Sequence, residues 1–359
     1  MRANEKKQDG LIEFQALAAE LVRQRDAKRD FIGDTRLMAM TPDAQQFAIK
    51  TNGDYEQFKV ARTMHEQLAE KLGIPYKYYQ RMQESVPELL AANVNTWLQK
   101  EPKKRMVRTL DGNARAFLSN AYRPLDNYEL LSAAMVTFDK YAQRGLQIRD
   151  CGLTPYRMYV KATVSFRRQE VVPGDVVEAG IVLSNSEIGA GSVRIEPIIF
   201  RLVCSNGMIT KSTIKQFHVG KRIGEHSAEI EEMFTAETLT ARDRAFWLQV
   251  RDVVSRTFED STWFDGEVEK LREAKFDRIE KTNKEAVEVT QKSFRLTDKE
   301  ADGVLERLII SGDFSKYGLA NAVTNVAQNV EVYDRRIELE RTGYEIIEMP
   351  KRKFAELYA

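Results

Sequence analysis

The sequence predicts an α+β protein in which a central antiparallel sheet, about residues 105–220, is flanked by N-terminal and C-terminal helices. Three observations carry this expectation. Apolar residues recur at three- and four-residue spacing near both ends of the chain, they alternate with polar residues in the middle, and the turn pairs Asp111–Gly112 and Asn206–Gly207 punctuate the alternating stretch. With 359 residues the chain is long enough for two domains or one large one, and its 43% apolar and 30% charged residues are ordinary globular usage.

Taken in order, the N-terminal third (1–100) reads as helical. Phe58, Ala61, Met64, Leu68 and Leu72 form one apolar stripe, which Gly73 and Pro75 end. A second helix starts at Pro75 with Tyr79 and Met82 turned inward, and a third covers about 87–99. The phrase QLAEKLGIPYKYYQRMQ has the helix, glycine turn and helix of a DNA-reading motif, with Tyr76, Lys77, Gln80 and Arg81 on its second helix. Any helical hairpin closed by glycine gives the same pattern. A sheet-rich core is expected over 101–228. MVRTL and ARAFLS make a hairpin about Asp111–Gly112, a helix spans about 127–142, and further strands lie at 156–166, 176–184 and 192–204. Asn206 is placed as the left-handed residue of the turn before Gly207. From 229 to 359 the pattern is helical again, with Phe246, Val250, Val253, Phe264, Val268 and Leu271 in register. Thr297 and Glu300 form a capping box ahead of Val304, Leu305, Leu308 and Ile309.

Charge and composition exclude several functions. Apolar runs are interrupted well short of the ~18 residues that span a bilayer, so no membrane partner is expected. The opening MRANEKKQDG lacks a secretory h-region, which makes a cytoplasmic location the expectation. Cys151 and Cys204 form no CxxC pair and read as small apolar side chains. His65, His218 and His226 have no ligand spacing, so no metal site is expected, and no phosphate loop or nucleophile elbow implies a cofactor. Gly189–Ala190–Gly191 is only a fragment of a glycine-rich loop, and its neighbours Asn185, Ser186 and Glu187 make it a polar hairpin tip rather than a nucleotide cradle. Asp265, Glu267 and Glu269 with Lys270 lie in a charged helix where such a cluster arises by chance. Lys plus Arg (55) nearly equals Asp plus Glu (54), but the distribution is uneven. Residues 100–168 hold fourteen basic against six acidic residues, a balance of +8, and 229–306 hold thirteen against twenty, a balance of −7. Such segments either present a basic face to nucleic acid or attract each other, within a chain or between the subunits of a homo-oligomer.

The strand at 156–166 supplies a concrete interface. Arg157, Tyr159 and Lys161 occupy alternate positions, which lines up two cations and an aromatic ring about 6 to 7 Å apart on one face, opposite Met158, Val160, Ala162 and Val164. An extended single strand fits such a row by phosphate contact and base stacking; a solvated face or one roofed by a helix is the alternative. Asp126 follows Pro124 at a strand end, where it serves as a ligand, a proton acceptor or the N-cap of the helix from Asn127.

Four phrases resemble an uncharacterised family of phages, prophages and plasmids, the phage/plasmid-like proteins, described only as a domain of unknown function. They are QLAEKLGIPYKYYQRM (67–82), RTLDGNARAFLSNAYRPLDNYELL (108–131), SNSEIGAGSVRIEPIIFRLVCSNGMI (184–209) and GLANAVTNVAQ (318–328). The resemblance implies a mobile-element protein and transfers no catalytic residue. It marks Arg108, Arg123, Asp126, Asn127, Asn185, Ser186, Arg201 and Asn206 as polar positions not evidently needed by a core. Arg108, Arg123 and Arg201 are placed with the strand face as expected nucleic-acid contacts; Arg123 and Arg201 each require a carboxylate, a phosphate or water, and Asp126 is the nearest candidate for Arg123. The expected function is non-catalytic binding of nucleic acid, single-stranded DNA above all, by a homo-oligomer. Two alternatives belong to other classes: a metal-dependent enzyme on nucleic acid or nucleotides with Asp126 and Glu187 among its acids, and a factor that binds a host protein.

Overall fold

The computed structural model describes residues 10–51, 53–210 and 235–358. Strands and helices follow one another as β1 (Leu11–Ile12), α1 (Phe14–Ala27), β2 (Arg29–Asp34), β3 (Met38–Met40), β4 (Gln46–Thr51) and β5 (Asp54–Val60). Next come α2 (Arg62–Lys71), α3 (Tyr76–Ser85), α4 (Pro87–Lys100), β6 (Lys104–Leu110), β7 (Asn113–Ser119) and α5 (Asn127–Ala142). A meander of β8 (Leu146–Leu153), β9 (Met158–Glu170), β10 (Val176–Asn185), β11 (Arg194–Arg201) and β12 (Asn206–Ile209) leads to the C-terminal helices, which begin with Ala236–Glu259 and include Tyr333–Ile347.

The α+β class holds, with the strands divided between two six-stranded sheets. The first runs β1-β8-β9-β10-β11-β12 and is antiparallel throughout. The second runs β2-β6-β7-β5-β4-β3, with one parallel contact between β5 and β7. The expectation of a single sheet over 105–220 is corrected here: β6 and β7 pair with strands from the N-terminal third, in the region read as helical. Phe58, counted in a helical stripe, lies in β5, and the helix starts only at Arg62. The sheet's expected tail beyond 210, the boundary near 228, and His218 and His226 lie outside the described residues.

Alternation explains the first sheet's layering. Val160, Ala162 and Val164 are fully buried on one face, in a core shared with Leu17 and Leu21 of α1, Leu130 and Phe138 of α5, and Phe246 and Val250 of the helix Ala236–Glu259. On the opposite face Tyr159, Val182, Ile198 and Ile209 pack with Tyr333 and Ile337 of the helix Tyr333–Ile347. The sheet is thus the middle layer of three. Close approach makes this possible at Gly152, where a Cβ would stand 2.5 Å from the Tyr333 ring. The second sheet has its own core, in which Phe47, Phe58, Val107 and Phe117 meet Met64, Leu68, Tyr79, Leu90 and Val94 of α2–α4. Its other face is only partly covered, by Ile188 of the β10–β11 loop over Met106, Ala116 and Leu118.

Candidate functional site

Where the β10–β11 loop crosses the second sheet, polar residues from both sheets converge. The β6–β7 hairpin turns through Asp111 (φ 50°) and Gly112 (φ 72°), both left-handed, as the Asp–Gly pair anticipates. One step along, Arg108 pairs with Ala116 but Thr109 pairs with Ala114, so Arg115 is the extra residue of a bulge.

Arg108 is fully buried and its guanidinium is spent in three directions: Nε to Asp30 (2.9 Å), Nη1 to the Glu187 carbonyl (2.8 Å) and Nη2 to Asp126 (2.8 Å). Burial works against its charge, but Asp126, Asp30 and Glu187 outweigh that, and its pKa stands above the usual arginine value. Burial likewise opposes ionisation of Asp126, yet Arg108 and Lys28 hold its pKa below the ordinary carboxylate value. Lys28 Nζ lies 2.5 Å from Asp126 and 3.7 Å from Glu187. Glu187 accepts from the Asn127 backbone N–H (2.9 Å) and from Arg115 Nη2 (3.0 Å). The Asn185 amide donates to the Leu125 carbonyl (2.7 Å) and to Asn127 Oδ1 (3.0 Å), and Ser186 Oγ accepts from the Ala190 N–H (3.0 Å). Three cations thus meet three carboxylates at the seam between the sheets.

Beside this network lies a cavity of about 430 Å³ lined by Arg115, Glu187, Asn127, Asn113, Tyr156 and Arg157 among others. That volume is in the range of small-ligand pockets. Arg115 Nε is buried beside it without a hydrogen-bond partner. From the cavity an open sheet face leads away. Lys59 pairs with Asn113 across β5 and β7, and Lys50 with Tyr55 and Ala48 with Gln57 across β4 and β5, so these residues share one face. Lys50, Tyr55, Gln57 and Lys59 are exposed, Tyr55 at 56%, and Lys50 Nζ stands 5.9 Å from the Tyr55 ring centroid.

The structure gathers Asp126, Asn127, Asn185 and Ser186 at this seam about Arg108, whose guanidinium is fully buried on Asp30, Asp126 and the Glu187 carbonyl rather than open to nucleic acid, and puts Arg157 on the cavity wall. Other expectations are corrected. Tyr159 and Lys161 are 1% exposed beneath the helix Tyr333–Ile347, with the Tyr159 hydroxyl on Asp334 (2.7 Å) and Lys161 Nζ on Glu340 (2.7 Å). A polar strand face covered by a charged helix reads in sequence like one covered by water. Arg123 pairs with Asp243 rather than Asp126. Arg201 pairs with Asp175 (2.5 Å), remote from the seam in β11's pairing with β10. Asp126 flanks α5 without a side-chain cap bond, because Lys28 and Arg108 take its carboxylate and Glu187 caps in its place. The left-handed residue of the β11–β12 turn is Ser205 (φ 50°), while Asn206 is already in strand and donates to Thr324 Oγ1 (2.5 Å). In the α2–α3 pair Tyr79 is buried and Lys77 and Arg81 are exposed.

Sequence reasoning missed Lys28, Asp30, Arg115 and the β4–β5 face. The last was within reach, because Asn52–Gly53 between alternating QFAIKT and DYEQFKV is a strong hairpin signal.

A family model described as Domain of unknown function (DUF932) matches residues 116–338. The match opens inside β7 and takes in α5 and β8–β12, leaving most of the second sheet before it. No curated protein and no solved structure matches the chain.

Proposed function

The chain belongs to the DUF932 family, whose description assigns no chemistry, and from its geometry we propose that it binds single-stranded nucleic acid, DNA in the first instance, without turning it over. The resemblance to phage and plasmid proteins makes mobile-element DNA metabolism the setting of this proposal. A single observation carries the reading: the open β4–β5 face, with Lys50, Tyr55 and Lys59 exposed, leads into a cavity walled by Arg115, Arg157 and Tyr156. Among the described residues neither Lys50 nor Lys59 is paired with a carboxylate, so both are available to phosphates. An exposed ring between two cations is what a sequence-tolerant single-strand binder uses, the ring stacking a base while the cations follow the backbone.

Fluorescence anisotropy with labelled single-stranded DNA, duplex DNA and RNA over a salt series tests this. Single strands should bind with an affinity that falls as salt rises. Lys50→Ala and Lys59→Ala should each lower the log–log salt slope by about 0.7 per lost phosphate contact. Tyr55→Ala should cost about 1–3 kcal/mol with little change of slope. A folded triple variant that binds like the parent would remove this surface from the proposal. Self-association is part of the proposal, and light scattering that finds only monomers at every concentration counts against it.

A second reading, an enzyme acting on nucleic acid or nucleotides, is favoured by the convergence of Asp126 and Glu187 on Lys28 beside the cavity. Both acids are engaged with Lys28, Arg108, Arg115 and the Asn127 N–H, so acid–base or metal chemistry there requires those partners to be displaced. Product formation on incubation with Mg²⁺ or Mn²⁺ would decide for this reading.

A further inference from the structure

From Arg157 on the cavity wall a group of arginines extends onto the first sheet and the helix above it. Strand register places Tyr159, Ser184 and Arg194 in one cross-strand row and Lys161, Val182 and Glu196 in the next, all on the face that meets the helix Tyr333–Ile347. Glu196, 2% exposed, is the carboxylate at this point, and Arg341 of that helix claims both its oxygens, at 3.1 and 2.6 Å. Arg194 reaches the same carboxylate only at 4.0 Å, beyond hydrogen-bonding range. Arg157, two residues before Tyr159 and just ahead of β9, donates to the neutral carbonyl of Ala190 and lies flush with the loop, so that a Cβ on Gly191 would stand 3.0 Å from its Nε. The nearby Asp334 accepts from the Tyr159 hydroxyl. Arg194 and Arg341 retain 32% and 22% of their side-chain exposure, enough to be reached from solvent.

We infer that Arg157, Arg194 and Arg341 form a phosphate-binding site. Arg194 shares Glu196 with Arg341 and has Arg157 as a second cationic neighbour, so these half-buried guanidiniums repel at Arg194, and an oxyanion with more than one charge relieves that repulsion while accepting hydrogen bonds in the forked geometry guanidinium favours. The crowding has a second signature. Burial first, and then the neighbouring Arg341 and Arg157, lower the pKa of Arg194 despite the pull of Glu196. The phosphate has two sources, a free phosphate or nucleotide and the backbone of a bound strand. The inference therefore does not depend on the nucleic-acid reading.

Calorimetric titration of the parent chain with inorganic phosphate at constant ionic strength, set beside oligonucleotide anisotropy, tests the site and separates the sources. Phosphate binding that weakens at least tenfold in Arg194→Gln supports the site with a free phosphate as ligand. No phosphate binding, but a loss of oligonucleotide affinity and of salt slope in Arg194→Gln, supports it with a strand as ligand. The melting temperature in phosphate-free buffer guards against a merely structural effect: Arg194→Gln should leave it unchanged or raise it, because a repelling charge is gone. Arg194→Lys keeps the charge and should retain part of the binding. A parent chain that binds no phosphate and an Arg194→Gln variant that binds oligonucleotide like the parent would overturn the assignment, as would a melting temperature lowered in both variants without phosphate.

Discussion

Arg108 and Lys161 are both basic residues in strands, and both are buried, but only their partners explain why. Each is neutralised from outside its own strand, Arg108 by Asp30 and Asp126 and Lys161 by Glu340 of a helix far along the chain. A charge with such partners is costly to orphan. Arg108→Ala leaves Asp30 and the Glu187 carbonyl without this donor and Asp126 with Lys28 alone, and should destabilise the fold by about 3–5 kcal/mol in urea denaturation. Arg108→Lys should rescue little, because an ammonium cannot serve partners that Nε, Nη1 and Nη2 reach separately. The family resemblance marked Arg108, Asp126, Asn127, Asn185 and Ser186 as polar positions, and in the structure they lie together. It could not show that they meet one another, since Asp126 and Glu187 are joined through Lys28, about a hundred residues before the first of them.

Local patterns were legible where an element is completed by its own neighbours. Thr297 and Glu300 form both bonds of a capping box, and the same spacing at Thr282 and Glu285 gives another. Thr297→Ala should cost about 1 kcal/mol, read as a shift of the denaturation midpoint at constant slope. The Asp111–Gly112 hairpin was legible for the same reason, and the face of Val160, Ala162 and Val164 by its strict alternation. Elements finished by distant residues were not. The N-terminus of α5 is capped by Glu187, sixty residues on. β2, with Arg29, Asp30 and Asp34 among its six residues, shows no apolar alternation and is a strand by virtue of its pairing with β6.

Across the molecule the oppositely charged segments meet within one chain: Arg123 pairs with Asp243, and Lys140 with Glu259 at 2.7 Å. Their attraction therefore needs no second subunit. The second sheet's core holds a pH-sensitive weakness of its own. His65 is buried, with Nδ1 2.8 Å from the Tyr79 hydroxyl and Nε2 3.1 Å from Gln83 Nε2, and burial depresses its pKa from 6.5 to about 4. Between those values the unfolded chain takes up a proton that the folded chain refuses, so acid favours unfolding there. Stability should be full above pH 6.5 and decline as pH falls toward 4, and His65→Gln should flatten that part of the profile measured by urea denaturation.

The division of strands also bears on how the chain is made. All six strands of the second sheet lie in the continuous stretch 29–119, and among the described residues its main apolar core draws on nothing beyond Phe117. The first sheet's core joins Leu17 and Leu21 to Phe354 and Tyr358. During synthesis all six strands of the second sheet and its apolar core are present once about a third of the chain has left the ribosome, whereas Arg108 still waits for Asp126 and Glu187, and α1 for α5 and β8. The Glu187 loop joins the two only after the earlier sheet can already have formed, so the cavity between them is a late product of biosynthesis.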